Sequence, residues 1–131
     1  MVEPIPHEEL EYVTLHEGID ASSFSCCSNP EEVDLEDFLK EDALRCQSSF
    51  FSVTRVVFWR GTLVGYFTLV TDCIEKEEMV RRDRIKGYKY RYYPAIKIAR
   101  LAVHDDYRHH GIGTNMLIEI FSIVGDITEN V

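Results

Sequence analysis

A chain of 131 residues with 45% hydrophobic content supports one domain around one core and leaves little material for a second. Its net charge of −9 argues against a surface that coats nucleic acid generally, yet residues 81–93 carry six Lys or Arg against one Asp, a local +5 that leaves −14 elsewhere. Apolar runs are only a few residues long, and Glu3, Glu8 and Glu9 stand where a secretion signal needs positive charge, so a soluble, cytoplasmic chain without membrane contact is expected. Cys26 and Cys27 are adjacent, Cys46 falls in a helical pattern, and no Cys-x-x-Cys occurs, which favours reduced thiols.

In chain order, Tyr12 to Leu15 is the one strand-like run in an acidic start. Ala21 to Pro30 has the Ser-rich, Asn-Pro composition of a loop that leads into a helix. Leu35, Phe38, Leu39, Ala43 and Cys46 recur at helical spacing with the acids outward. Ser52 to Trp59 and Leu63 to Val70 are β-branched and aromatic on either side of Arg60-Gly61, which predicts an antiparallel hairpin. Thr71 to Lys86 is densely charged without a period and is expected as an exposed helix or a loop, closed by Pro94. Ile96 to Val103 reads as the next strand. Ile96 and Ile98 share a parity that Leu101 and Val103 do not, so one extra residue near Ala99 and Arg100, a β-bulge, is expected. The alternative is a strand buried on both faces with Lys97 and Arg100 snorkelling. Gly113, Met116, Leu117, Ile120, Phe121 and Val124 predict a final helix that packs on the sheet, with Ile118 and Ile123 pointing to a second covered face and Gly125 as its stop.

Between that strand and that helix lies Arg108-His109-His110-Gly111-Ile112-Gly113, with nothing acidic from Tyr107 to Asn115. A strand, a glycine turn and a helix entrance aim several backbone N–H groups at one point, and the helix dipole adds positive character there; such a point suits a phosphate. The Gly-Lys-Ser/Thr ending of a phosphate loop is missing, and the glycines are not spaced as in the dinucleotide fingerprint.

The order Arg-x-x-Gly-x-Gly, preceded by Arg100-Leu101-Ala102-Val103 and followed by a helix, resembles the acetyl-CoA-binding motif of the GNAT superfamily of N-acetyltransferases. Asp34 to Leu39 and Val64 to Leu69 are also similar to this family, particularly to its toxin-like branch that modifies aminoacyl-tRNA. The resemblance covers residues 24 to 124 and implies a single α+β domain over 1–131, with 125–131 as a tail. Its sheet would be mixed and mainly antiparallel, flanked by helices, and would lack the family's C-terminal strand and helix. It further implies acetyl-CoA as co-substrate, with Leu101, Ala102, Val103, Arg108, His109, His110, Gly111, Ile112, Gly113 and Thr114 as its binding residues. Amides from His110 to Thr114 would hold the pyrophosphate, with Arg108 adding charge. Main-chain groups of Leu101 and Val103 would hold the pantetheine arm as an added strand would. The implied reaction is attack of a neutral amine on the thioester, with a backbone N–H stabilising the oxyanion.

The family's acidic tyrosine belongs to C-terminal elements that have no counterpart here, and Ile96 to Val103 holds no carboxylate, so the catalytic acid and base are unassigned. Tyr66, Tyr92 and Tyr93 read as packing residues. His104, His109 and His110 beside Asp105 and Asp106 fit no zinc spacing, and the two aspartates read as turn formers, so no metal is expected. The cysteines lack a local His partner and no Gly-x-Ser-x-Gly is present, which sets nucleophilic catalysis aside.

Arg81 to Tyr93 mixes cations with four tyrosines, a composition that suits aminoacyl-tRNA as the amine acceptor and equally a solvated loop. The strand 96–103 would present an unpaired edge, to be covered by a second copy in a homodimer, by the N-terminal segment, or by a continuation of the chain. A non-catalytic coenzyme- or protein-binding module is the competing reading.

Overall fold

Four strands form one antiparallel sheet in chain order: β1 (Leu10–Thr14), β2 (Val53–Trp59), β3 (Thr62–Glu75) and β4 (Tyr92–Val103). This computed structural model describes residues 3–129, the last three as backbone alone. The expected hairpin is present, and β2 passes to β3 through Arg60 and Gly61 at φ of 50° and 80°, the two-residue turn whose twist matches its strands.

β3 runs past Val70 to Glu75, and β4 starts at Tyr92, opposite Glu75. The segment expected as helix or loop from Thr71 therefore begins as a two-stranded arm, with short 3-10 turns at Lys76–Glu78 and Arg81–Asp83 beyond it. Residues 71–74 are exposed on both faces, so the apolar alternation that announces a strand was never needed there. Pro94 does not close the segment; it lies within β4, opposite Cys73.

Two bonds set the phase of the β3/β4 ladder: His104 N–H donates to Val64 O at 2.8 Å, and Lys76 N–H to Arg91 O at 2.7 Å. Counting from either anchor, antiparallel alternation turns the main chain of Pro94 toward the open edge, where its missing N–H breaks no ladder bond.

The expected bulge is also present. Arg100 faces Thr68 and Ile98 faces Leu69, which leaves Ala99 as the extra residue. The snorkelling alternative falls away: Lys97 is exposed, and the Arg100 guanidinium lies 3.6 Å over the centre of the Phe38 ring.

Helices cover both faces. On one, α1 (Val33–Asp37), a π-helical turn (Phe38–Asp42) and α2 (Ala43–Ser48) run on as a single amphipathic rod. Its Phe38, Leu39 and Ala43 bury with Phe24, Val56, Tyr66 and Ala102. On the other face, α3 (Ile112–Glu129) buries Ile112, Met116 and Ile120 against Val57, Val64 and Phe67.

Three expectations for this half of the chain are corrected. The buried stripe of α3 begins at Ile112, so Leu117 (38%) and Phe121 (69%) turn outward; of the two residues expected on a second covered face, Ile118 is exposed and Ile123 packs against the same core as Ile112 and Met116, so no second covered face forms among the described residues. The helix also passes Gly125, and the expected tail is helical as far as Glu129. A helical glycine costs only about 1 kcal/mol, and it ends a helix when it takes the left-handed conformation, which Gly125 does not. Finally, the N-terminal segment joins the sheet at β2 through β1, at the far edge from β4, so it does not cover β4.

Candidate functional site

Gly65 lets α3, β3 and β4 approach one another: a Cβ there would sit 2.9 Å from Ala102 O and 3.4 Å from the Met116 methyl carbon. This contact sets the entrance of α3 beside the end of β4. The intervening turn runs through a 3-10 segment, Asp105–Tyr107, and two left-handed residues, His109 (φ 69°) and Gly111 (φ 79°). A left-handed histidine is uncommon, and the turn is braced around it by the Tyr107 ring, 5.9 Å from Trp59 and 5.6 Å from His104.

Between this turn and β4 opens a cleft of about 370 Å³ lined by Val103, Tyr107 to His109, and Gly111 to Thr114. Asn115 N–H donates to Gly111 O at 3.0 Å, the first bond of the helix. The N–H groups of Gly111, Ile112, Gly113 and Thr114 precede it and have no protein acceptor among the described residues. Four donors at the positive end of an 18-residue helix have the chemistry to hold an anion. Along the adjoining edge, ladder alternation directs the main chains of Leu101 and Val103 outward and that of Ala102 inward to Tyr66. Ala102 thus contributes a buried side chain and no free edge group.

The glycines are informative because one of them lacks a structural reason. Gly111 needs its positive φ. Gly113 is helical, and a Cβ there would meet only Leu101 Cδ2 at an ordinary 3.9 Å. Packing tolerates a side chain at Gly113, and helix propensity prefers one by about 1 kcal/mol, yet the position leaves the amides bare to whatever approaches.

Arg108 lines the cleft, but its guanidinium is engaged. It donates to Glu32 and, at 3.2 Å, to Asp105, and the Glu32 carboxylate holds its charge firmly in place. Asp105 in turn accepts from Ser25 Oγ (3.0 Å), Ser28 N–H (3.1 Å) and Ser28 Oγ. Burial works to raise the Asp105 pKa; the bonds from Ser28, Ser25 and Arg108 outweigh it and hold the carboxyl below its usual 3.8. This network ties the 25–32 loop to the turn. His109 stands in the strained turn, and His110 is tied to the N-terminal segment through its ring Nδ1–H, which donates to Glu3 O at 2.7 Å.

The other candidates have structural roles. Tyr66 is fully buried, its hydroxyl donates to Leu35 O, and burial raises its pKa. Tyr93 OH accepts from Ile85 N–H at 2.9 Å, and its ring stacks on Tyr88 at 4.1 Å. Tyr92 is half exposed beneath Arg91. Asp105 and Asp106 form the turn as expected, and His104 spans it, accepting from Asp106 N–H at Nδ1 and meeting Ser23 O through Nε2. Among the described residues, no three His, Cys, Asp or Glu side chains converge on a metal position. All four cysteines are free thiols, and burial first, then Glu36, pushes Cys26 up to about 11. β4 carries no carboxylate.

A separate apolar cleft of about 310 Å³, between Phe51, Phe67, Leu69 and Ile123, offers no amide cluster, so the chemistry points to the α3 entrance. No helix among the described residues is long and apolar enough to cross a membrane.

A bulged edge strand followed by a glycine turn and a helix entrance with four free amides defines an acyltransferase-like α+β fold. The sequence profile of the Acetyltransferase (GNAT) family matches residues 16–125, and the chain belongs to that family. Solved structures agree in fold. A tyrosine-to-phenylalanine mutant of KacT superposes with a TM-score of 0.80 at 23% identity, covering 94% of this chain and 73% of that one. AtaT complexed with acetyl-methionyl-tRNAfMet gives 0.78 at 19% identity, covering 91% and 71%. AtaTR bound with acetyl-CoA gives 0.75 at 21%, covering 95% and 73%. No curated protein sequence matches the chain.

Proposed function

We propose that the chain binds acetyl-CoA in the cleft at the α3 entrance and transfers the acetyl group to a primary amine. The amides of Gly111 to Thr114 hold the pyrophosphate, and the outward main chains of Leu101 and Val103 hold the pantetheine arm as a neighbouring strand would. His109 and Ile112 shape the turn, His110 anchors it, and Arg108, neutralised by Glu32 and Asp105, ties it to the 25–32 loop. Acetyl-CoA supplies an activated thioester. The observation that carries this reading is Gly113, a helical glycine that neither conformation nor packing requires. Membership of the family and the acetyl-CoA in the AtaTR structure support it.

Aminoacyl-tRNA is the proposed acceptor, met by the arm. Arg81, Arg82 and Lys86 have no ion-pair partner among the described residues, and Tyr90 is 63% exposed. The tRNA complex of AtaT supports that choice, and a cytoplasmic location accords with it.

The test is calorimetric titration with coenzyme A, together with thiol release from acetyl-CoA in the presence of amines. Gly113→Ala is expected to raise thermal stability by about 0.5–1 kcal/mol and to weaken coenzyme binding by about tenfold or more, because the new methyl projects among the donors. Equal affinity in variant and wild type removes the cleft reading. Binding without thiol release leaves the non-catalytic module in its place.

A further inference from the structure

We propose that the N-terminal segment Glu3–Ile5 is a strap that presets the direction of the α3 entrance amides, with Asn115 as its positioning residue. The inference rests on the coenzyme reading of the cleft. Ile5 is bonded on both sides of the donor cluster: its N–H donates to His110 O at 2.8 Å, just before the cluster, and its carbonyl accepts from Asn115 Nδ2 at 2.8 Å, just after it. The same residue is 5% exposed and packs with Ile112 and Met116, so its main chain cannot drift from the helix. A further bond from His110 Nδ1–H to Glu3 O, at 2.7 Å, holds the preceding residue of the turn.

The placement matters because a helix entrance is the part of a helix held by the fewest bonds of its own. Left alone, four amides with no acceptor fray, and a ligand must order them at an entropic cost. A segment from outside the helix that bonds the residues flanking the cluster, while leaving the four donors free, removes that cost beforehand. Asn115 suits this: its backbone N–H makes the first helical bond, to Gly111, and its side chain makes the strap bond. Its side chain bonds Ile5 and does not line the cleft, and so acts on a ligand through the orientation of the donors.

The test uses the full chain, coenzyme A by calorimetry, and amide hydrogen exchange by NMR. Asn115→Leu keeps the bulk and removes the donor. It is expected to weaken coenzyme A binding by about fivefold and to speed exchange at Gly111–Thr114, while β2 and β3 keep their protection. If that variant does not fold, His110→Phe, which removes only the bond to Glu3, is expected to act in the same direction. Coenzyme affinity equal to wild type in a folded variant overturns the strap and leaves the cleft reading intact. Parallel loss of protection in β2 and β3 also overturns it, in favour of general structural support. If the wild type itself binds no coenzyme A, the cleft reading fails and takes the strap with it.

Discussion

Asp105 shows how much of the site is held together by residues remote from the motif. The glycine turn and its free donors were legible, because Gly111 and Gly113 announce a backbone that something must approach. Ser25, Ser28, Glu32, Ile5 and Asn115 were not. Their partners lie from 76 to 110 positions away along the chain, and no local pattern encodes a meeting of that kind. The Arg108–Glu32 pair is the plainest instance. An arginine beside a phosphate site reads as a ligand-binding charge until the fold supplies a nearer carboxylate. Because the folded Asp105 pKa lies below 3.8, its ionised form is the one the structure stabilises. That stability is complete above the unfolded value and is lost as pH falls through the folded one. Urea midpoints followed from pH 6 down to pH 2 are therefore expected to drop below about pH 3.8 in the wild type. Asp105→Asn is expected to be less stable at pH 6 by about 1–3 kcal/mol, with a shallower acid limb. Parallel acid limbs would show that Asp105 contributes nothing specific to the turn.

At the scale of elements, parity located the strands that bury one face, whereas the helical period of α3 was misphased at Leu117 and Phe121. The slip in parity between Ile98 and Leu101 pointed to a bulge near Ala99 and Arg100, and the ladder leaves Ala99 as the extra residue, which keeps the apolar residues before and after it on one face of the sheet. The arm has no such obligation: residues 71–74 are exposed on both faces, and its strands are held by ladder bonds, by Arg91–Glu75 at 2.8 Å and by the Tyr88–Tyr93 stack. Arg81, Arg82 and Lys86 stand beyond this two-stranded base and outside the lining of the α3 cleft, so the proposed tRNA contact can be tested apart from the proposed coenzyme contact. Arg81→Ala with Arg82→Ala is thus expected to lower tRNA affinity and to reduce the slope of log affinity against log salt by about 0.7 per charge removed. Coenzyme A affinity should stay at the wild-type value. An unchanged tRNA affinity and salt slope would take the arm out of acceptor binding.

For the whole molecule, the open edge of β4 is the feature that most constrains behaviour in solution. Ladder alternation turns the main chains of Ile96 and Ile98 outward, and their side chains are 39% and 36% exposed. Such an edge recruits another strand, and the proposed recruit is the same edge of a second copy, paired antiparallel about a two-fold axis. The net charge of −9 opposes that contact, so screening should favour it, contrary to the usual loss of charged interfaces in salt. Sedimentation velocity is expected to show dimer increasing between low salt and about 0.5 M, with a Debye length then under about 5 Å. Ile98→Lys, which places a cation on the edge, should leave a monomer throughout. A wild type that stays monomeric at every salt concentration would refute the pairing. The bulge at Ala99 adds a further consequence: it breaks the edge into a stretch before it, available to a second copy, and Leu101 to Val103 after it, proposed for the coenzyme. Dimerisation and coenzyme binding then occupy different halves of one strand, and saturating coenzyme A should leave the dimer fraction unchanged.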